Sequence, residues 1–383
     1  MFLVSKFYAF LYFFNKIIIT NLLFEIGRKK STEPNDFIMS NEGKISCTGW
    51  AALEPGKDLE KHKFDRDTLG PYECELDVVF CGICGGDINL NDGNWNFGAF
   101  PNNPQISGHE IVGKVVKIGS EVTNVSVGDM VGVGWQKASC QNCEWCEVGE
   151  ENMCAGNTGT CIGGAIGGFA DKWSGDSRFC FQIPEGLPPK FVGPLMCGGV
   201  TVYSPIKKWA TAGKRVGVLG IGGLGHMAIK FATAKGCGVT AFSRNDEKRE
   251  TTLAMGADTY INTSKADEIN SAERTIDVLI ITIDASVDWT PYLNAMRPNG
   301  AFVFIGGITN KLSEIPIASL IMKNLVISGT TIGGSKNIKE MLDFVAEHPA
   351  CRPIVETAPM QNINEAIERV KSGNVRFRMV VEN

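Results

Sequence analysis

The chain has 383 residues, enough for two domains or one large one, with the apolar and charged content of an ordinary globular protein. Its formal net charge of −5 provides no basic field for nucleic acid or an anionic membrane surface. Thirteen cysteines, odd in number and unevenly spaced, argue against a disulfide scaffold and for reduced thiols, some of them on metal.

Residues 1–38 stand apart. The stretch "FYAFLYFFNKIIITNLLF" is apolar but short for a membrane span, and Asn15, Lys16 and Asn21 interrupt it. No small-residue cleavage site marks a signal peptide. The segment is an artefactual extension ahead of a start at Met39, a membrane or organellar signal, or folded structure, and it is set aside from the fold reading.

Residues 40–190 are β-rich. Short apolar runs such as "CELDVVFCGIC", "EIVGKVVKIG" and "GDMVGVGW" alternate with Gly, Asn, Asp and Pro clusters. Within this region Cys140, Cys143, Cys146 and Cys154 follow the spacing C-x2-C-x2-C-x7-C. Four thiolates so close together can close a tetrahedron around zinc, and a site with four protein ligands holds a loop rather than doing chemistry. Free thiols or an iron–sulfur cluster are the competing readings. Further possible ligands are Cys81, Cys84 and Asp87 in "CGICGGD", His109 and Glu110 in "SGHEIVG", and Cys197 in "PLMCGGV". A Cys/His/Cys set would leave one zinc position open for substrate. Buried cysteine is also common core filler, and spacing alone does not bring positions 84, 109 and 197 together.

From about residue 200 strands alternate with helices, the pattern of a parallel sheet covered on both faces. "RVGVLGIGGLGHMAIKFATAKG" is a strand, a glycine turn and a helix. Gly220, Gly222 and Gly225 form G-x-G-x-x-G, with Gly223 and Leu224 inside the turn, in the context that gives a dinucleotide-binding motif its meaning. The next strand ends "AFSRNDEK". An NAD site calls for an acid there, whereas Ser243, Arg244 and Lys248 suit the 2′-phosphate of NADP, with Asp246 as the competing ribose acceptor. "IDVLIITI", "GAFVFIGG" and "LVISGTT" supply further buried strands. After about residue 335, "NIKEMLDFVAEH" and "NINEAIERVKSG" are helical and "VRFRMVVEN" closes the chain as a strand.

The order GIC, GHE, four-cysteine lobe, "PLMCGGVTVYSP", "GIGGLGH", "SRNDEKRE", "NVRFRMV" resembles the zinc-dependent medium-chain alcohol dehydrogenases. It is most similar to their NADP-dependent cinnamyl alcohol dehydrogenase branch, over about residues 45–383. The resemblance implies an α/β protein: a GroES-like β-rich catalytic domain at 39–198 and 336–383, split around a Rossmann doubly wound parallel sheet at 199–335. It also implies two zinc ions per chain, NADP(H) and usually a homodimer; the reduced thiols point to the cytoplasm, with a membrane or organelle left open by the N-terminal extension. The family's catalytic zinc ligands fall on Cys84, His109 and Cys197, with Glu110 beside the metal and Asp87 as a supporting partner. Its structural zinc falls on the four-cysteine cluster. Thr201 matches a threonine near the nicotinamide, Arg376 a C-terminal arginine that touches the cofactor, and Trp95 and Trp135 aromatic walls of the substrate pocket.

One departure stands out. Members usually carry Ser or Thr two residues after the first zinc cysteine, and often His five after it, as a proton relay. Here those positions are Gly86 and Asn89. The expected activity is reversible, zinc- and NADPH-dependent reduction of aldehydes to alcohols, with water admitted beside Gly86 carrying the proton. The alternatives are an NADPH-dependent reductase of conjugated C=C or iminium bonds, which needs the relay less, and a non-catalytic NADPH-binding protein.

Overall fold

The computed structural model describes residues 44–95, 98–100, 103–306 and 315–383. The extension 1–38 and Met39 lie outside the described residues.

Two sheets carry the architecture. In the first half of the chain the strands are β1 (Ile45–Ala51), β2 (Glu60–Arg66), β3 (Glu73–Ile83), β4 (Glu110–Ile118), β5 (Met130–Val133), β6 (Gln136–Ala138), β7 (Thr158–Gly159), β8 (Lys172–Asp176) and β9 (Phe181–Gln182). Next come β10 (Arg215–Leu219), β11 (Gly238–Ser243), β12 (Thr259–Asn262), β13 (Ile276–Ile281), β14 (Met296–Phe304) and β15 (Val326–Gly329). The last two are β16 (Val355–Pro359) and β17 (Arg378–Glu382).

Strands β10 to β15 form a six-stranded sheet in the order β12-β11-β10-β13-β14-β15, every pair parallel. Counted from β10, this is the order 3-2-1-4-5-6 of a doubly wound dinucleotide-binding sheet. The sequence shows why it is covered on both faces: all six residues of β13, "IDVLII", are buried, as an unbroken apolar run requires. The chain switches direction beside β10, so the ligand crevice opens at that strand's C-terminal end, where the glycine turn sits.

The second sheet has the order β16-β17-β3-β4-β5-β9, with β8 also paired to β3. Its chain connectivity is split: β3, β4, β5, β8 and β9 precede the parallel sheet in sequence, while β16 and β17 follow it. Two registers position the candidate site. Strand β3 ends at Ile83, just before Cys84, and β4 starts at Glu110, just after His109; they run antiparallel with Gly82 opposite Glu110. Strand β17 pairs antiparallel with the other edge of β3, Met379 opposite Ile83, which carries Arg378 to the same end. Helical chain then runs from Val192 to Trp209, and within it Leu195–Gly199 forms one wider π-type turn. Such turns are frequent at functional sites, and this one holds Cys197.

Candidate active site

A cleft of about 1460 Å³ lies between the two sheets, lined at one end by Cys84, His109, Cys197, Trp95 and Trp135 and at the other by the glycine turn and the ends of β11 and β13. The side chains that sequence spacing left scattered converge there. Ligand atoms of Cys84, His109, Glu110 and Cys197 all lie within 4.8 Å of one another. His109 Nε2 is 3.1 Å from Cys197 Sγ, and the Cys84 and Cys197 sulfurs are 3.9 Å apart. Contact with the Cys197 sulfur holds the Cys84 thiol well below its ordinary range, against its burial, while the same contact pushes Cys197 up. One thiolate beside an imidazole suits a metal ligand set.

Asp87 organises this cluster and is wholly buried. Its Oδ1 accepts from His109 Nδ1–H at 2.7 Å and from Gly108 N–H at 2.8 Å, and its Oδ2 accepts from Cys84 N–H at 2.9 Å. With Nδ1 protonated, the Nε2 lone pair faces the thiols, which is the tautomer a metal needs. Glu110 is fully buried with Oε1 on the Arg378 guanidinium, while Oε2 has no hydrogen-bond partner. Burial pushes its carboxyl up to about 7 despite Arg378. An orphaned carboxylate oxygen beside two thiols and an imidazole fits a zinc ion with one position open to exchange.

The four-cysteine lobe fits zinc in a closed arrangement. Sulfur separations are 3.6 Å for Cys143 and Cys146, 4.0 Å for Cys140 and Cys146, and 3.4 Å for Cys140 and Cys154. A tetrahedron with Zn–S near 2.3 Å has edges of about 3.8 Å.

The glycine turn fits a dinucleotide position by position. Gly220 has φ +94°, a conformation side chains resist, and a Cβ there would lie 2.6 Å from Ile283. A Cβ on Gly225 would strike the Gly220 carbonyl, so the helix Gly225–Ala234 could not pack this closely on β10 with any other residue. At Gly222 nothing lies within 4 Å, leaving the backbone open to the cleft as a pyrophosphate requires.

At the end of β11 and just past it, Ser243, Arg244 and Lys248 all line the cleft. The Asp246 carboxylate is engaged by Arg249, Lys265 and Asn262. Lys248 donates to the Ile221 carbonyl at 2.8 Å, and burial, then Arg376, lower its pKa. Arg376 is thus on the cleft rim near Lys248, with its guanidinium on the Gly373 carbonyl. The arginine buried between the glycine turn and the thiol cluster is Arg378: a Cβ on Gly223 would lie 2.7 Å from its Nη1, and its Nη2 reaches Glu110. Sequence reasoning missed it, although "RFR" offered two candidates. Thr201 lines the cleft and donates to the Cys197 carbonyl at 2.8 Å.

Trp95 and Trp135 meet edge to face at 6.0 Å, and Trp135 packs edge to face on His109 at 4.7 Å. Both flank Gly86. A Cβ on Gly86 would sit 3.3 Å from His109 Cε1 and 3.4 Å from Trp135 Cζ3 and Trp95 Cη2. The three atoms nearest to that position are ring carbons. Asn89 donates to the Gly85 carbonyl at 3.0 Å and accepts from Asn94 at 3.2 Å, so it caps its own loop.

Comparison with known proteins places the chain in a family. Residues 70–185 match the model described as "Alcohol dehydrogenase GroES-like domain" and residues 223–347 the one described as "Zinc-binding dehydrogenase". An aldehyde reductase of Synechocystis is 36% identical over 337 residues, covering 87% of this chain and 98% of that protein. An NADP-dependent alcohol dehydrogenase of Mycolicibacterium smegmatis is 37% identical over 346 residues, 88% of this chain and 98% of its own. The structure of a cinnamyl alcohol dehydrogenase from Sorghum bicolor superposes with a TM-score of 0.83 at 34% identity, covering 88% of this chain and 98% of that one. On these matches the chain belongs to the zinc-dependent medium-chain alcohol dehydrogenase family, in its cinnamyl alcohol dehydrogenase-like branch.

Proposed function

We propose that this protein reduces aldehydes to primary alcohols, reversibly, with NADP(H) as cofactor. NADP-dependent alcohol dehydrogenase and aldehyde reductase activity is the activity of its relatives at 36–37% identity over nearly their full length. The observation that carries the site assignment is the convergence of Cys84, His109, Glu110 and Cys197 at one end of the nucleotide cleft. When bound there, zinc supplies Lewis acidity toward a carbonyl oxygen and NADPH supplies the hydride. The chain's own contribution is orientation. Asp87 fixes the His109 tautomer, Arg378 holds Glu110 beside the ligands, Thr201 and the glycine turn border the cofactor, and Trp95 and Trp135 wall the substrate end and exclude water. Cys140, Cys143, Cys146 and Cys154 hold the structural ion. We assign the catalytic domain to residues 39–198 and 336–383 and the nucleotide domain to 199–335.

The experiment is NADPH oxidation against a panel of aldehydes, with His109→Ala as the control. Turnover should be lost in the variant while NADPH still binds. Gly86 favours a second reading, reduction of conjugated C=C or iminium bonds, because no side-chain hydroxyl stands beside the substrate oxygen. Turnover confined to such acceptors would replace the first reading, and NADPH binding with no turnover on either panel would overturn both.

A homodimer is supported by the surface of the nucleotide domain. Strand β15 is the last of its sheet, and on or beside it Ile317, Ile321, Met322 and Val326 are exposed, Met322 by 82%. An apolar edge strand next to an apolar helix face calls for cover, and a second copy pairing edge to edge supplies it. Sedimentation of the parent and of Ile321→Asp tests this, the variant shifting to monomer. No helix among the described residues is long and apolar enough to cross a membrane. The many free thiols suit the reducing cytoplasm.

A further inference from the structure

The four-cysteine lobe is joined to the cofactor cleft by one buried carboxylate. Glu151 stands between Cys146 and Cys154 and is only 7% exposed. Its Oε2 accepts from Ser335 N–H at 2.8 Å and its Oε1 from the Ser335 hydroxyl at 2.6 Å, across 184 residues of chain. Ser335 opens the thirteen-residue helix Ser335–Glu347, so the carboxylate also meets the positive end of a helix. Beside it, Asn152 Nδ2 donates to the Thr331 carbonyl at 3.1 Å. Gly149 and Gly334 touch backbone to backbone, since a Cβ on Gly334 would strike the Gly149 carbonyl.

The segment clamped in this way is the exit from β15. Thr330, Thr331 and Ile332 line the cleft together with Thr201 and Cys197. Gly333 packs on the helix that carries Thr201, a Cβ there lying 2.5 Å from Ser204 Oγ and 2.6 Å from Val200 Cγ2. The lobe therefore grips the strand end that borders the cofactor, and its own shape depends on four thiols closing on one ion.

We propose that Glu151 is a positioning residue for the cofactor, coupling the closed four-thiol lobe to the cleft segment 330–332 so that each stabilises the other. Coupling of this kind is reciprocal: an ordered lobe tightens NADPH binding, and NADPH binding orders the lobe. The proposal rests on the cleft binding NADP(H). NADPH binding to the unaltered protein is therefore measured first, and failure of that premise shows there as absent binding, before any variant is made.

The test uses zinc-loaded protein, NADPH fluorescence for affinity and hydrogen exchange for the lobe. Glu151→Ala should raise the NADPH Kd about five- to tenfold, within the usual range of coupling between sites, with zinc content unchanged. Glu151→Gln keeps an acceptor for Ser335 N–H and an amide that can donate to Ser335 Oγ, so it should restore most of the affinity. In the parent, NADPH should slow exchange of amides 144–154, and in Glu151→Ala it should not. Should Glu151→Ala lose zinc, Ser335→Ala carries the test from the other side of the bond, with a smaller rise in Kd and weakened lobe protection. Parent-like NADPH affinity in zinc-loaded Glu151→Ala, or lobe exchange in the parent indifferent to NADPH, overturns the proposal.

Discussion

Removing the Arg244 side chain should separate the two nicotinamide cofactors. Arg244 follows the last residue of β11 and lines the cleft beside Ser243 and Lys248. Only NADPH presents a 2′-phosphate, and the contact with a guanidinium is charge-assisted, worth about 1.5–3 kcal/mol. At about 1.4 kcal/mol per factor of ten, Arg244→Ala should lower kcat/KM for NADPH about ten- to a hundredfold. Lys248 limits compensation, because its ammonium is already tied to the Ile221 carbonyl. The NADH value should move by no more than about twofold, as for a surface change within ±0.5 kcal/mol. Asp246→Asn supplies the opposite control: its carboxylate is engaged by Arg249, Lys265 and Asn262, so the cofactor ratio should stay within about twofold. Steady-state rates with one aldehyde and varied NADPH or NADH give both ratios. Equal losses for the two cofactors in Arg244→Ala, or a tenfold shift of the ratio in Asp246→Asn, would refute the assignment.

Changing Cys143 to Ser removes one of the four clustered thiols, so metal analysis should find one zinc per chain where the parent holds two, with a lowered Tm. Burial depresses His226 to about 3 from its ordinary 6.5, with Nδ1 on the Gly222 carbonyl and Nε2 accepting from Ile354 N–H. The unfolded chain therefore binds the extra proton: the stability is full above pH 6.5 and declines by about 1.4 kcal/mol per pH unit as pH falls toward 3. Urea midpoints at pH 7 and 5 read that decline, and it should flatten in His226→Gln. Gly86→Ser with Asn89→His restores a hydroxyl and a titratable ring; at Cβ contacts of 3.3–3.4 Å the His109 and tryptophan rings must give by a few tenths of an ångström, so Tm is measured alongside activity. Aldehyde turnover should rise by up to about 10²-fold, at the lower end of what positioned acid–base groups contribute, and gain a pH limb. No rise, with strong parent activity on iminium or conjugated C=C substrates, would favour the second reading of the site.

What lay close in sequence was legible from sequence. Cys140 to Cys154 fall within one short lobe, so spacing alone points to a tetrahedral site, and the sulfur separations agree. The turn Gly220–Gly225 is legible as a local motif, although only the need for Gly225 arises within the turn itself; Gly220 is crowded by Thr282 and Ile283 beyond β13 and Gly223 by Arg378. The alternation of apolar runs after residue 200 encodes a parallel sheet because both of its faces must be buried. The family order of motifs then pointed to the open metal site, but its geometry belongs to tertiary structure. Cys84 and His109 meet because β3 and β4 pair with Gly82 opposite Glu110, and Cys197 arrives on a widened helical turn from another segment. The place of Arg378, which sequence reasoning did not single out, depends on where β17 registers against β3, which brings it to Glu110 from 268 residues away. The partners of Asp246 likewise come from the fold: Lys265 and Asn262 reach its carboxylate from the end of β12 and the loop after it, beside the local Arg249. Glu151 looks like an ordinary lobe acid until the fold sets it on Ser335. A residue's type is written locally, but which donor or acceptor it faces is fixed by sheet register and packing between segments hundreds of residues apart.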